Sequence, residues 1–360
     1  YCRMRRGYRT FCDTGRGTKN VATLMTWAGG AQKLLAACDG RIFDVTSGTA
    51  SSLATGYTSD YWSWTAYSTG GGQYVIAVNG ADTGWRYDGT TLTALVNTGP
   101  TNPLSLCLAY SNRMFYAEKN TLKVWYAADF GPFCSRGGTI AGLGTWTRDN
   151  GFGGSNELFV MVTTMGEILV YSGFDPASTG TWTLIARYLI GRPVSGPGCI
   201  TRIGPDMLLI CEDGFQPLSA YLSVGQSKAQ EIAISKNIGN AVSAVVAAGA
   251  SSPGWGAMLY PQGTQLIVNV PTQGVYQQYV VNTITGAWCR YIGLPSVSWG
   301  LLNSAPYFGS TDGKVYQWDT GTADNTSDIV AEMVTGYEYV GGRGIQKRFT
   351  MARPVLQGTG

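Results

Sequence analysis

Asp-Gly and Asn-Gly dipeptides, among them Asp39-Gly40, Asn79-Gly80, Asp88-Gly89, Asp213-Gly214 and Asp312-Gly313, punctuate this chain between short runs of β-branched and aromatic residues. Such pairs tolerate the positive φ values of tight β-turns, so they mark where a strand folds back on the one before it. The clearest hairpins read as Leu34 to Cys38 with Arg41 to Val45, Met114 to Glu118 with Leu122 to Tyr126, Leu158 to Thr163 with Ile168 to Tyr171, and Tyr307 to Phe308 with Val315 to Trp318. First-strand centres placed near Leu35, Ile76, Phe115, Val160, Leu209, Met258 and Tyr307 are 39 to 49 residues apart. Four short strands with their turns occupy roughly 40 to 50 residues. The spacing therefore predicts an all-β chain folded as a β-propeller of about seven blade-like repeats. A large sandwich also spaces its strands evenly. Helical patterning is confined to Gly239 to Ala248.

A second recurrence favours repeats. Gly is followed two places later by Trp at Gly144-Thr145-Trp146, Gly180-Thr181-Trp182 and Gly286-Ala287-Trp288, with Thr83-Gly84-Trp85 a shortened relative. A turn that delivers an indole to an outer strand would wedge one blade against its neighbour.

Composition narrows the chemistry. Of 360 residues, 50 are Gly and 44% are hydrophobic, while charged residues make up 13%, against ~25% in an ordinary soluble domain. Disorder is excluded, since it needs few aromatics and a high charge load. A monomer of this mass exposes about 14,000 Å², which leaves so sparse a charge that much of the surface is expected to be covered by neighbours. With no histidine, Ser/His/Asp, Cys/His and His-ligated metal chemistries drop out, because each needs an imidazole. Any enzyme reading must rest on carboxylates. The 22 acids are scattered singly, and Glu212-Asp213 reads as the polar end of a hairpin. No P-loop, dinucleotide fingerprint or calcium loop is present, so no catalytic residue, metal ligand or cofactor is assigned. The eight cysteines form no CxxC pair. Those in Leu106-Cys107-Leu108 and Ile210-Cys211 read as small buried hydrophobes with free thiols, consistent with synthesis in a reducing cytoplasm. The uncharged stretch between Lys236 and Arg290 has an apolar core of only nine residues, Val242 to Ala250, too short for a membrane span. The opening arginines lack the apolar run of a signal peptide.

Basic charge concentrates at the two ends. Residues 1 to 20 carry Arg3, Arg5, Arg6, Arg9, Arg16 and Lys19 against Asp13, and residues 336 to 360 carry Arg343, Lys347, Arg348 and Arg353 against Glu338. The body between them is acidic. Both ends read as extended, at Gly7 to Phe11 and Lys347 to Met351. The expected organisation is a basic β-segment over 1–30, a propeller over 31–325, and a basic β-segment over 326–360 packed with the first.

Among known signatures, Asp312-Gly313-Lys314-Val315-Tyr316 followed by Asp319-Thr320-Gly321 resembles the blade consensus of quinoprotein-like propellers; it fixes a blade rather than a cofactor. A longer string carries a broader likeness. It runs Asp213-Gly214-Phe215-Gln216-Pro217-Leu218-Ser219, Leu266-Ile267-Val268-Asn269-Val270-Pro271, Thr285-Gly286-Ala287-Trp288-Cys289-Arg290-Tyr291 and Phe308 to Tyr316, and closes with Gly341 to Pro354. With the opening Arg5-Arg6-Gly7-Tyr8-Arg9, this resembles the tail nozzle proteins of short-tailed bacteriophages, the group of tail tubular protein B and packaged-DNA stabilisation proteins. The resemblance implies a virion structural protein assembled in the host cytoplasm. It would form a homohexameric, six-fold ring below the portal and adaptor, enclosing the channel through which double-stranded DNA leaves. Phosphate contacts in such a channel carry no sequence information. Arg3, Arg5, Arg6, Arg9, Arg343, Lys347, Arg348 and Arg353 are the candidates for its lining; the alternative is that they pair between subunits or solvate the ends. Two other functions stay open: a carbohydrate- or receptor-recognising propeller at the tail tip with Trp62 or Trp64 as stacking platforms, and a polysaccharide-degrading enzyme with two acids.

Overall fold

The computed structural model describes residues 4–126, 129–130, 134–149, 155–178, 180–221, 233–272 and 274–332, with the single positions 346, 348 and 351. Its strands form seven sheets, antiparallel throughout but for one short parallel pairing. Blade one comprises Val21–Trp27, Lys33–Cys38, Arg41–Asp44 and Ser51–Thr55, and blade two Ser63–Thr69, Gly72–Val78, Trp85–Tyr87 and Leu92–Ala94. Blade three runs Leu104–Tyr110, Arg113–Glu118, Val124–Trp125 and Asp129–Phe130; blade four, with the longest strands, runs Ile140–Asp149, Ser155–Thr163, Glu167–Gly173 and Trp182–Leu189. Blade five shows three strands among the described residues, Ile200–Ile203, Asp206–Cys211 and Gly214–Pro217. Blade six is Gly256–Tyr260, Gln265–Thr272, Val275–Asn282 and Trp288–Tyr291. Blade seven takes Ser296–Leu302, Ala305–Ser310 and Lys314–Trp318 from one end of the chain and Tyr8–Asp13 from the other.

The first strand of each sheet touches the first strand of the next, and that of blade seven returns to blade one. The result is a seven-bladed β-propeller. Its interior follows from side-chain alternation along each strand. In Asp206–Cys211, Met207, Leu209 and Cys211 pack with blade four, while Leu208 and Ile210 pack with blade six. Each gap between neighbouring blades holds its own apolar cluster, as Met25 and Leu35 with Trp62 and Trp85 do between blades one and two. The helix Gly239–Gly249 adds Val242 and Val246, four residues apart on one face, to the cluster between blades five and six.

The Gly-x-Trp expectation holds at two of its sites. Trp182 opens the outer strand of blade four and stacks on Tyr171 at 5.2 Å and on Phe115 of blade three at 6.0 Å. Trp288 opens the outer strand of blade six and meets Phe215 of blade five at 5.8 Å. Trp146 instead lies within the innermost strand of blade four, and Trp85 opens the third strand of blade two.

The organisation of the ends differs from expectation. Residues 1–30 do not form a unit apart from the blades: Tyr8–Asp13 is the fourth strand of blade seven, antiparallel to Lys314–Trp318, and Val21–Trp27 is the innermost strand of blade one. The physical reason is closure. Without Tyr8–Asp13, Lys314–Trp318 would be an open sheet edge. On its far side the same strand meets Ala323–Asp324 in parallel, and that pair turns into Ser327–Asp328. Most of 326–360, including the expected strand at Lys347 to Met351, lies outside the described residues.

Candidate functional site

No backbone ladder joins the first strand of one blade to that of the next, so side chains bridge the gaps around the axis. Thr23 Oγ1 of blade one donates to the Asp60 carbonyl at 2.7 Å and accepts the Trp62 N–H at 2.9 Å. Ser63 Oγ accepts the Cys107 N–H of blade three at 3.2 Å. Asn269 Nδ2 of blade six donates to the Val297 carbonyl of blade seven at 3.2 Å, and Ser298 Oγ of blade seven donates to the Val21 carbonyl of blade one at 2.7 Å. In blades one, three, four and seven the register slips by one residue at the start of this strand, between Val21 and Thr23, Leu104 and Leu106, Ile140 and Gly142, and Ser296 and Ser298. A bulge bends the strand and re-aims the residue beside it. Gly198 brings the lead into blade five against the Trp255 carbonyl so closely that a Cβ would collide with it.

These starting ends line a half-open axial cavity of about 370 Å³. Every blade contributes to its wall, and among the described residues no Asp, Glu, Lys or Arg does. Tyr61, Trp62, Trp64, Trp255 and Trp299 supply the aromatic residues. Trp62 is only 2% exposed, packed against Tyr57 at 4.9 Å and Trp85 at 5.5 Å, so it cannot serve as an open stacking platform. Trp64 is half-buried on the cavity wall. Ser195, Thr201 and Ser251 also line it, two of them exposed and Thr201 half-buried.

The carboxylates lie elsewhere, and several do one job. Each takes backbone N–H groups from a segment that connects blades or turns a hairpin. Glu167, fully buried, accepts the N–H groups of Ser135 and Arg136 at 3.0 Å and pairs with Arg187 at 3.2 Å. Burial alone would raise its pKa, but those hydrogen bonds and Arg187 outweigh it and hold the carboxyl below its ordinary range. Glu118 is likewise held low: burial is outweighed by the Trp125 indole N–H at 2.8 Å and the Asn102 N–H at 3.0 Å. Asp82 accepts from Asn79 Nδ2 at 2.7 Å and the Thr58 N–H at 2.9 Å, and Asp213 from the Gly191 N–H at 2.6 Å. Asp60 is opposite in sign to Glu167, Glu118 and Asp82. Its burial outweighs the Gly40 N–H at 3.0 Å and raises it. Among the described residues, no group of three or more Cys, Asp or Glu could hold a metal ion.

Of the eight basic candidates, Arg3, Arg343, Lys347 and Arg353 lie outside the described residues. Arg5 does not present a free cation. Its guanidinium pairs with Asp324, Nη1 to Oδ1 at 2.7 Å, and sits 5.7 Å from the centre of the Tyr291 ring, with 7% of the side chain exposed. Sequence reasoning missed this because Asp324 is remote in the chain and adjacent only through the closure strand. Arg6 and Arg348 are exposed, as is Arg9, which donates to Gln317 Oε1 at 2.8 Å. None of the described candidates reaches the axial wall. That wall went unread in the sequence because its members are one or a few residues from each of seven repeats.

No family model matches the chain, and no curated protein matches its sequence. Solved structures do resemble it. The WD40 β-propeller domain of Doa1 superposes with a TM-score of 0.53 at 11% identity, over 87% of this chain and 97% of that one. BBS1N, solved in complex with ARL6DN, gives 0.52 at 10% identity over 89% and 99%, and YCF48 from Cyanidioschyzon merolae gives 0.50 at 12% over 87% and 98%. The likeness is one of fold. No helix among the described residues is long and apolar enough to cross a membrane.

Proposed function

We propose that this chain is a non-enzymatic structural subunit of a phage tail, assembling into a closed six-fold ring around the DNA exit channel. The observation that carries the reading is the distribution of charge. Among the described residues the propeller's own axial wall is uncharged, whereas Arg6 and Arg9 are exposed beside and on the closing strand of blade seven. A channel between subunits, rather than through one, places these groups where phosphates pass. The nozzle-like motifs over residues 213 to 321 and at Arg5 to Arg9 support the same assignment, as does the use of buried acids as backbone clamps. Blade four offers a second exposed edge, where Leu184 is 37%, Ile185 47% and Phe174 54% exposed, suited to contact with a neighbouring subunit.

Native mass spectrometry of the purified chain, alone and with its portal and adaptor, tests the ring; electron microscopy of virions tests its place. A closed homo-oligomer present in particles is expected. A chain that stays monomeric with those partners and is absent from virions overturns the proposal. Virions carrying Arg6→Gln and Arg9→Gln should lose packaged DNA more readily than wild type at low salt, and the difference should shrink as salt is raised, because each phosphate contact removed also removes its share of the salt dependence.

A further inference from the structure

We infer that the axial cavity is a binding site for a small, uncharged, polyhydroxylated ligand, a neutral saccharide unit. Its volume of about 370 Å³ falls within the range of small-molecule sites. The wall is built in advance: the hydrogen bonds of Thr23, Ser63 and Ser298 tie the starting ends of first strands across neighbouring blades, and Asn269, on the second strand of blade six, ties in the start of blade seven at Val297, so little ordering is left to a ligand. Four first strands carry a bulge at this same level, and bulges concentrate where a strand must re-aim side chains at a site.

The chemistry of the wall selects the ligand. With no Asp, Glu, Lys or Arg among its described lining residues, it offers no counter-charge to an anion, and the negative faces of its aromatic rings repel one, so anions are disfavoured. Tyr61, Trp64 and Trp299 are half-buried and present aromatic character without being sealed into the core. Around them the hydroxyls of Ser195, Thr201 and Ser251 make no hydrogen bond to any described residue. A hydroxyl both donates and accepts. A wholly apolar ligand would strip water from these groups and return nothing, whereas a sugar hydroxyl replaces that water. The inference does not depend on the ring, since every element of the site belongs to one chain.

Saturation-transfer NMR on the intact chain tests it, with galactose, N-acetylglucosamine and maltose as neutral probes and glucuronic acid and N-acetylneuraminic acid as charged ones. At least one neutral probe should bind, with the charged probes at least tenfold weaker. Ser195→Trp, at an exposed position on the wall, should obstruct the cavity and weaken binding at least tenfold while leaving the thermal unfolding midpoint in place. Trp64→Ala should cost roughly tenfold through lost aromatic contact. Failure of every neutral probe, equal binding of charged ones, or binding unaltered in Ser195→Trp would each overturn the assignment. Oligomeric state is measured separately, so failure here leaves the ring proposal standing, and the reverse.

Discussion

At the scale of single residues, this chain's ionisable groups hold backbone together. Glu167 illustrates the consequence. Its pKa in the fold is depressed below its ordinary 4.5, so the stability it contributes is fully present above pH 4.5 and is lost as the pH falls through the depressed value. Glu167→Gln keeps the size but leaves one fewer acceptor for Ser135, Arg136 and Arg187, and should cost about 2 kcal/mol near neutral pH. Urea unfolding at pH 7 and pH 3.5 checks both parts: the gap between wild type and variant should shrink at the lower pH. Asp60 has the opposite sign, since burial raises it; its carboxylate opposes folding increasingly as the pH rises through that raised value, so Asp60→Asn should close part of that penalty. The thiols give a second readout. Cys107, Cys199 and Cys211 are buried and pushed up to about 12 by desolvation, and Cys12 and Cys38 to about 11. Iodoacetamide at pH 8 followed by peptide mass spectrometry should label the exposed Cys289 and leave these five unmodified until the chain is unfolded.

At the scale of the strand and blade, repeat number was legible and phase was not. Turn dipeptides are local signals, and at Asp39-Gly40 both residues have positive φ, 52° and 68°, as the hairpin reading requires. Of the seven centres chosen as first strands, however, only Met258 lies in one; Leu35, Ile76, Phe115, Val160, Leu209 and Tyr307 all lie in second strands. The cause is burial. A second strand packs on both faces against neighbouring blades and reads as the most apolar run, as in Lys33–Cys38, where every residue after the first is buried. A first strand borders the axis and begins with small polar residues such as Thr23, Ser63 and Ser298, so it reads as linker. The axial site is composed of those positions, and for that reason it was hidden. The same logic singles out Gly7 as an element-scale test. A Cβ there would collide with the Ala323 carbonyl, so Gly7→Ala should force the closing segment away from Ala323–Asp324 and, with it, Arg5 from Asp324. Arg5→Met leaves Asp324 partly buried without its cation and should cost about 3 kcal/mol; Asp324→Asn in the same chain should recover part of that loss, measured by denaturant unfolding.

At the scale of the whole molecule, a propeller is a circle, and a circle is only as secure as the joint where its ends meet. Here the joint is one strand. Tyr8 packs edge-on to Phe308 at 5.2 Å and Tyr316 at 5.0 Å, Phe11 meets Tyr307 at 4.7 Å, and Cys12 is 1% exposed in the cluster shared by blades seven and one. The pairing of Tyr8 with Trp318 and of Asp13 with Lys314 then sets the register in which the ring closes. Removing residues 1–13 deletes these contacts, exposes the edge of Lys314–Trp318 and loosens blade one against blade seven. The three buried or half-buried side chains alone contribute on the order of 5 kcal/mol, which for a chain of this length lowers the melting temperature by about 7 °C. Calorimetry of the truncated chain should show that drop together with concentration-dependent aggregation through the open edge. A synthetic peptide spanning residues 4–14 should restore much of the loss by rebinding as the fourth strand. An unchanged melting temperature in the truncated chain would mean that the closing strand is an ornament on a ring held shut by blade packing alone, and a peptide without effect would place the loss outside blade seven.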